Sequence, residues 1–238
     1  MPPLIGIPTC LDAQERWKPG RCYQYIDVSY ALAIAAAGGS PVYLGLGAEP
    51  EALVAHLDGL LLPGSDDLLP ATPYPDAVAF DPAPAEQIAF DTAVLAAAND
   101  RQIPILGICY GMQLLALQQG GRLHYDIGTD LPAAGNHQLG ERGRHAIEIS
   151  AGSRLAGILG AGSLEVNSRH HQAVADPGNG LRVSAVTDGA ITEAVERADA
   201  AFCIGVQWHP ESLERAHREA LFGAFIAACA ERRSAEDR

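Results

Sequence analysis

The chain predicts an α/β fold with a mostly parallel central sheet flanked by helices and extra antiparallel strands in its second half. Three observations carry this. Short apolar runs alternate with segments of helical spacing through the first half. The second half is richer in short β-branched runs separated by Gly, Pro, Asn or Asp. At 238 residues, 48% apolar and 19% charged, the composition is that of a globular chain with a sizeable core, read as one domain over 1–238.

In order, "LIGIPTC" opens as a strand. The segment Tyr23 to Ala37 follows, with Ile26, Tyr30, Ala33 and Ile34 at helical spacing, and Gly38 and Gly39 stop it. "PVYLGL" is a second strand, "EALVAHL" a short helix, and "DGLLLPG" a third strand entering a turn. Ser65 to Pro84 carries five prolines and no period, which predicts a long loop. Ala85 to Asn99 is a helix with Ile88, Thr92 and Leu95 on one face, and "PILGICYGMQLLAL" supplies the next strand and helix. "RHAIEIS", "SLEVNS", "LRVSAVT", "ITEAVE" and "AFCIGVQWH" are the later strands. A last helix from Ser212 to Arg232 presents Leu213, Ala216, Ala220, Leu221, Ala224, Phe225 and Ala228 as a stripe, and 233–238 is a frayed tail.

Composition removes several function classes. A net charge of −13 opposes binding to nucleic acid, which depends on Lys and Arg neutralising phosphates. No run approaches the ~18 apolar residues that span a bilayer, and "MPPLIGIPTC" lacks the basic flank of a signal peptide, so a cytoplasmic protein is expected. The five cysteines, Cys10, Cys22, Cys109, Cys203 and Cys229, are scattered and without CxxC spacing, which predicts reduced thiols and neither disulfides nor a zinc site.

Cys109 stands apart because it falls in the tight turn between a buried strand, Ile105 to Ile108, and a helix from Gly111 onward. That is the position of a nucleophile elbow, where a helix N-terminus favours a negative sulfur. A thiol near pKa ~8.5 needs a base to become a nucleophile at neutral pH. "GVQWHPES" places His209 just past a strand end, where active groups converge in α/β sheets. Glu211, two residues on, is placed to fix the imidazole tautomer. Gln113 lies one helical turn after Cys109 and so can face the same pocket.

The blocks "LLLPGSDD", "PILGICYGMQLLAL", "VNSRHHQAV" and "GVQWHPE", in this order, resemble the class I glutamine amidotransferase superfamily. Within it the chain is most similar to the gamma-glutamyl-gamma-aminobutyrate hydrolase family of peptidases, and the similarity covers nearly the whole chain. The resemblance implies a flavodoxin-like sheet, with Cys109 as nucleophile, His209 as general base and then acid, and Glu211 as orienting carboxylate. It implies an oxyanion hole at the backbone N–H groups of Ser65 and Tyr110, and it counts the turn glycine Gly64 among the substrate-binding residues. It assigns Gln113, with Ser168, His170 and His171, to the glutamyl half of a small-molecule substrate. Adjacent residues of an extended segment point to opposite faces, so His170 and His171 do not ligate one ion, and neither metal nor cofactor is expected.

The chain departs from the family pattern at Ser65, where a second glycine is usual, at Tyr110, where arginine is common, and at "DGAITEAVE", where Thr192 reads as an insertion. These positions bear on substrate rather than on the catalytic steps. The expected activity is hydrolysis of gamma-glutamyl amides through a thioester, by a chain acting alone or as a homo-oligomer. Two other readings stay open at this level: a glutaminase subunit supplying ammonia to a separate synthetase, and a non-enzymatic redox protein on the same fold.

Overall fold

The computed structural model describes all residues except 76, 141, 188–190, 198, 200, 201, 237 and 238. The first half runs β1 (Leu4–Pro8), β2 (Cys10–Asp12), β3 (Tyr23–Tyr25), α1 (Val28–Ala36), β4 (Ser40–Leu44), α2 (Pro50–Val54), β5 (Gly59–Leu62), α3 (Ala85–Asp100), β6 (Ile105–Ile108) and α4 (Tyr110–Gln118). The second half runs β7 (Arg122–His124), α5 (Ile127–Asp130), β8 (Arg144–Ile149), α6 (Arg154–Leu159), β9 (Gly162–Asn167), β10 (Ala173–Asp176), β11 (Leu181–Val186), β12 (Thr192–Arg197) and β13 (Cys203–Val206). A 3₁₀ turn (Pro210–Ser212) and α7 (Arg215–Glu236) close the chain.

The main sheet has the order β4-β1-β5-β6-β13-β12-β11-β8-β9. From β4 to β13 every pairing is parallel, and from β13 to β9 every pairing is antiparallel. The five parallel strands thus follow the flavodoxin-like order, whose carboxyl ends form the ligand crevice. Strands β5 and β6 are buried along their whole length because helices cover both faces. Leu61, Leu106 and Ile108 pack with Ile34, Phe222 and Phe225 of α1 and α7, whereas Leu60, Leu62 and Ile105 pack with Val94, Leu95, Met112 and Leu115 of α3 and α4. Alternate residues of the same strands therefore build two cores.

Several elements differ from expectation. The segment from Tyr23 is a strand pairing with β2, and the helix begins only at Val28, because Asp27 accepts from the Ser29 N–H and caps it there. In α3 the buried face carries Gln87, Phe90, Asp91, Val94 and Leu95, and Thr92 is exposed. In α7 the buried stripe is Leu221, Phe222, Phe225, Ile226 and Cys229, whereas Ala216 faces solvent. That helix continues to Glu236, so the tail is helical over its described part. β7 and β10, an added pair beside β12, were not anticipated. Of "DGAITEAVE", Asp188 to Ala190 lie outside the described residues. The described part of 65–84 holds no helix or strand, yet it closes on itself through Asp67 N–H to Asp81 O at 2.8 Å and Ala83 N–H to Asp67 O at 2.9 Å.

Candidate active site

Cys109 is the N-cap of α4 with φ 52° and ψ −108°, a left-handed conformation for a residue that carries a Cβ. Its N–H is spent on Val206 O at 2.8 Å, and its carbonyl starts the helix by accepting from Met112 and Gln113 N–H. The strain is held by the surrounding sheet, as in other elbows that lift a reactive side chain above strand ends. The Tyr110 N–H belongs to the first turn and has no acceptor within the helix.

His209 follows β13, the neighbour of β6, so strand pairing alone brings it to Cys109. Its Nδ1 lies 2.8 Å from Glu211 Oε1, and Glu211 is buried. A carboxylate only accepts, so Nδ1 carries the proton and Nε2 is left for the thiol side. Burial opposes a charged His209 ring, but Cys109 and Glu211 outweigh it and push its pKa up to about 10.

Gly64 sits where these groups meet. A Cβ there would lie 2.9 Å from His209 Cε1, 3.0 Å from the Tyr30 hydroxyl and 3.7 Å from Cys109 Cβ. The Gly64 N–H donates to the Tyr30 hydroxyl at 3.0 Å, and that oxygen is 3.5 Å from His209 Nδ1. Gly64 therefore makes room for the histidine and does not line the cleft.

The cleft itself, about 280 Å³, is lined by Ser65, Cys109, Tyr110, Gln113, His170 and His171 together with Asp66, Asp67, Asp81, Gln138, Arg169 and Gln172. Ser65 and Tyr110 are both anchored to α3. Gln87 Nε2 donates to Ser65 Oγ at 2.7 Å, and the Tyr110 hydroxyl donates to Asp91 at 3.0 Å. Burial pushes Asp91 up to about 7 against the hydrogen bonds it accepts from the Tyr110 hydroxyl and, at 3.5 Å, from Gln87 Nε2, which favour its charged form. Gln113 is buried and gives its Nε2 to Gln172 O at 3.2 Å and Gln207 Oε1 at 3.3 Å.

The histidine pair splits as expected for an extended segment. His171 faces the cleft, with Nε2 2.8 Å from Asp67 Oδ1 and Nδ1 3.2 Å from Asp126 Oδ1. The Asp67 hydrogen bond raises its pKa in spite of burial. His170 touches the cleft but turns its Nε2 inward, toward Glu193. Ser168 is not brought to the cleft: it follows β9, is fully buried, and its hydroxyl donates to His137 O at 2.6 Å.

Sequence reasoning missed three neighbours of the catalytic candidates. Gln207 Nε2 points at Cys109 Sγ from 3.4 Å, Asn167 grips the His209 backbone, and Tyr30 links His209 to Gly64. Gln207 and Asn167 lie inside the quoted blocks "GVQWHPE" and "VNSRHHQAV", and Tyr30 was read only as part of a buried helix face, so none carried a local sign of this role. Among the other thiols, burial pushes Cys10 and Cys203 up to about 11 and raises Cys229 further, while Cys22 is exposed.

A flavodoxin-like parallel sheet with a cysteine elbow after its fourth strand and a histidine after its fifth defines the class I glutamine amidotransferase fold. The glutaminase domain of Trypanosoma brucei CTP synthase, solved with bound acivicin, shares it with a TM-score of 0.68 at 19% identity, over 96% of this chain and 94% of that one. The chain belongs to the Peptidase C26 family, whose model matches residues 3–211. It is 34% identical over 251 residues to the gamma-glutamyl-gamma-aminobutyrate hydrolase of Escherichia coli K12, covering 95% of this chain and 93% of that protein. The Shigella flexneri protein of the same name is 33% identical over 250 residues with the same coverage. Among the described residues no helix is long and apolar enough to cross a membrane.

Proposed function

We propose that the protein hydrolyses gamma-glutamyl amides at Cys109, releasing glutamate and an amine. The observation that carries this is the 2.8 Å contact of His209 Nδ1 with Glu211, which leaves the other ring nitrogen for a thiol held at a strained helix N-cap. The names of the Escherichia coli and Shigella flexneri relatives support the gamma-glutamyl bond as the target.

In this reading the thiol proton passes to His209 Nε2, and the sulfur attacks the amide carbon. The oxyanion is met by the Ser65 and Tyr110 N–H groups, rigid donors aimed before charge develops. Imidazolium at His209 then protonates the leaving amine, which departs and leaves a glutamyl thioester. The neutral ring next takes a proton from water, which attacks the thioester and frees glutamate. The raised pKa of His209 makes the ring a ready acceptor of the thiol proton and keeps it charged until the amine takes that proton. Gln207 Nε2, donating toward Sγ, stabilises sulfur as it becomes negative.

The glutamyl end carries an α-carboxylate and an α-ammonium, and the cleft offers both signs. Arg169 and the Asp66, Asp67 and Asp81 carboxylates line the cleft with Cys109 and Gln113, and in this reading the guanidinium meets the first and the carboxylates the second. Discrimination therefore rests on the glutamyl half. The test is glutamate release by the isolated chain from paired gamma-linked and alpha-linked glutamyl anilides. Release from the gamma isomer alone is expected. Equal rates for both would defeat the assignment, and activity arising only when a second protein is added would favour the ammonia-supplying subunit.

A further inference from the structure

Behind the cleft, four side chains from separate segments converge: His137 from the loop before β8, His145 on β8, His170 after β9 and Glu193 on β12. Glu193 Oε1 is 3.5 Å from His137 Nδ1, 3.5 Å from His170 Nε2 and 3.6 Å from His145 Nε2. None of these four atoms, nor Glu193 Oε2, has a hydrogen-bond partner among the described residues. The side chains of His137, His170 and Glu193 are 4%, 2% and 0% exposed, so water does not satisfy them in bulk. A carboxylate left this way is among the costliest things a protein interior can hold.

Hydrogen bonding among the four does not resolve the cluster. His170 Nδ1 lies 2.9 Å from Gln172 O, and a carbonyl only accepts, so the ring proton sits on Nδ1. In its neutral form that ring turns a lone pair, not a donor, toward the Glu193 carboxylate. A cation between them reverses that repulsion into two bonds. An imidazole whose far N–H is fixed on a backbone carbonyl is the usual support of a metal-binding histidine. Spacing agrees: donors around a tetrahedral ion with bonds of ~2.0–2.1 Å lie ~3.3 Å apart, against 3.5–3.6 Å here. The donor atoms of His137, His170 and Glu193 all fall within 4.8 Å of one another.

We propose that His137, His170 and Glu193, closed by His145, bind one divalent transition-metal ion of the zinc class. Imidazole with a single carboxylate suits such an ion better than calcium or magnesium, which prefer oxygen donors. The site is structural. It ties the loop before β8 and the His170 segment to β12, and that segment carries Arg169, His171 and Gln172 of the cleft wall. Gln172 O accepts from both His170 Nδ1 and Gln113 Nε2, which joins the ion's surroundings to the cleft. A cavity of about 210 Å³ lined by His137 and His145 gives a path of entry. The proposal is independent of which bond the cysteine cleaves.

The test is elemental analysis of full-length protein purified without chelators, followed by stripping with dipicolinate and titration with cobalt(II). The titration uses a Cys109→Ser chain, so that thiolate-to-cobalt absorption does not confuse the reading. About one equivalent of zinc-class metal per chain is expected. Cobalt(II) should give the intense visible bands of a tetrahedral site, saturating near one equivalent, and should raise the thermal midpoint of the stripped protein. Glu193→Gln and His170→Gln should abolish the bands, and the rim variant His145→Gln should weaken binding ~10–100-fold. Protein that carries no metal and gives only the weak spectrum of hydrated cobalt would overturn the proposal, leaving the cluster as histidines sharing protons with Glu193. Bands that persist in Glu193→Gln would overturn it as well.

Discussion

Asn167 holds His209 by both of its main-chain polar groups: its Nδ2 donates to His209 O at 2.9 Å, and its Oδ1 accepts the His209 N–H at 2.7 Å. The pair joins the end of β9, at the edge of the sheet, to the segment after β13 at its centre. Asn167 touches neither Cys109 nor Glu211 by hydrogen bond, so its effect on chemistry passes through the position of the imidazole.

Asn167→Ala should therefore lower kcat ~10–100-fold with KM changed little, because a misplacement of about 1 Å in a reacting group has that scale of cost. Asn167→Asp keeps the acceptor and should recover part of the loss. Steady-state kinetics on a gamma-glutamyl anilide reads both. An unchanged kcat in the alanine variant would show that Glu211 alone positions the ring.

Cys109, His209 and Glu211 should behave as one unit. Cys109→Ala, His209→Ala and the double variant should show the same residual rate, because removing one member already stops the proton transfer that the others serve. Glu211→Gln should cost less, since it weakens tautomer control and leaves the base in place. Additive losses in the double variant, measured in the same assay, would contradict a shared role.

The parallel half of the fold, the elbow geometry at Cys109 and the His209–Glu211 contact were legible because each is written in a few adjacent residues: an apolar strand, a turn, a helix start, or His-Pro-Glu. What could not be read depends on pairs that only the sheet brings together. Gln207 and Cys109 lie 98 positions apart, Tyr30 and His209 179. Ser168 was assigned to substrate from its motif, but its hydroxyl is taken by the carbonyl of His137, 31 positions away. Tyr23 to Tyr25 was read as helix because Ile26 and Tyr30 share a helical period, while the ribbon partner Cys10 to Asp12 gave no local sign. The expectation of no metal rested on spacing along the chain, and His137, His145, His170 and Glu193 meet only across four separate elements.

Gly64→Ala should inactivate the enzyme by at least ~100-fold while the chain still folds. The added methyl would press on His209 Cε1 at 2.9 Å and the Tyr30 hydroxyl at 3.0 Å, closer than carbon atoms rest without movement. The ring is the neighbour that can give way, and its displacement separates Nε2 from the thiol. Circular dichroism and thermal midpoint should stay near wild type, with iodoacetamide alkylation of Cys109 slowed in parallel with turnover. Exposed Cys22 serves as the internal control, since its labelling should not change.

The raised pKa of His209 predicts a stability change with a definite sign. An unfolded histidine titrates near ~6.5, and in the folded protein Cys109 and Glu211 hold the ring at about 10 in spite of burial. Between those values the native state binds more protons than the unfolded chain. The contribution is therefore fully present below about pH 6.5 and is lost as pH rises through about 10, at a slope of up to ~1.4 kcal/mol per unit. Cys109 and Glu211 cause the shift, so the loss belongs to the cysteine–histidine–glutamate unit rather than to one ring. Urea unfolding of wild type and His209→Gln at pH 6, 8 and 10 measures it. The stability gap between the two proteins should narrow steadily with pH, since glutamine does not titrate. A gap equal at pH 6 and pH 10 would mean that the ring binds its proton no more tightly in the folded protein than in the unfolded chain.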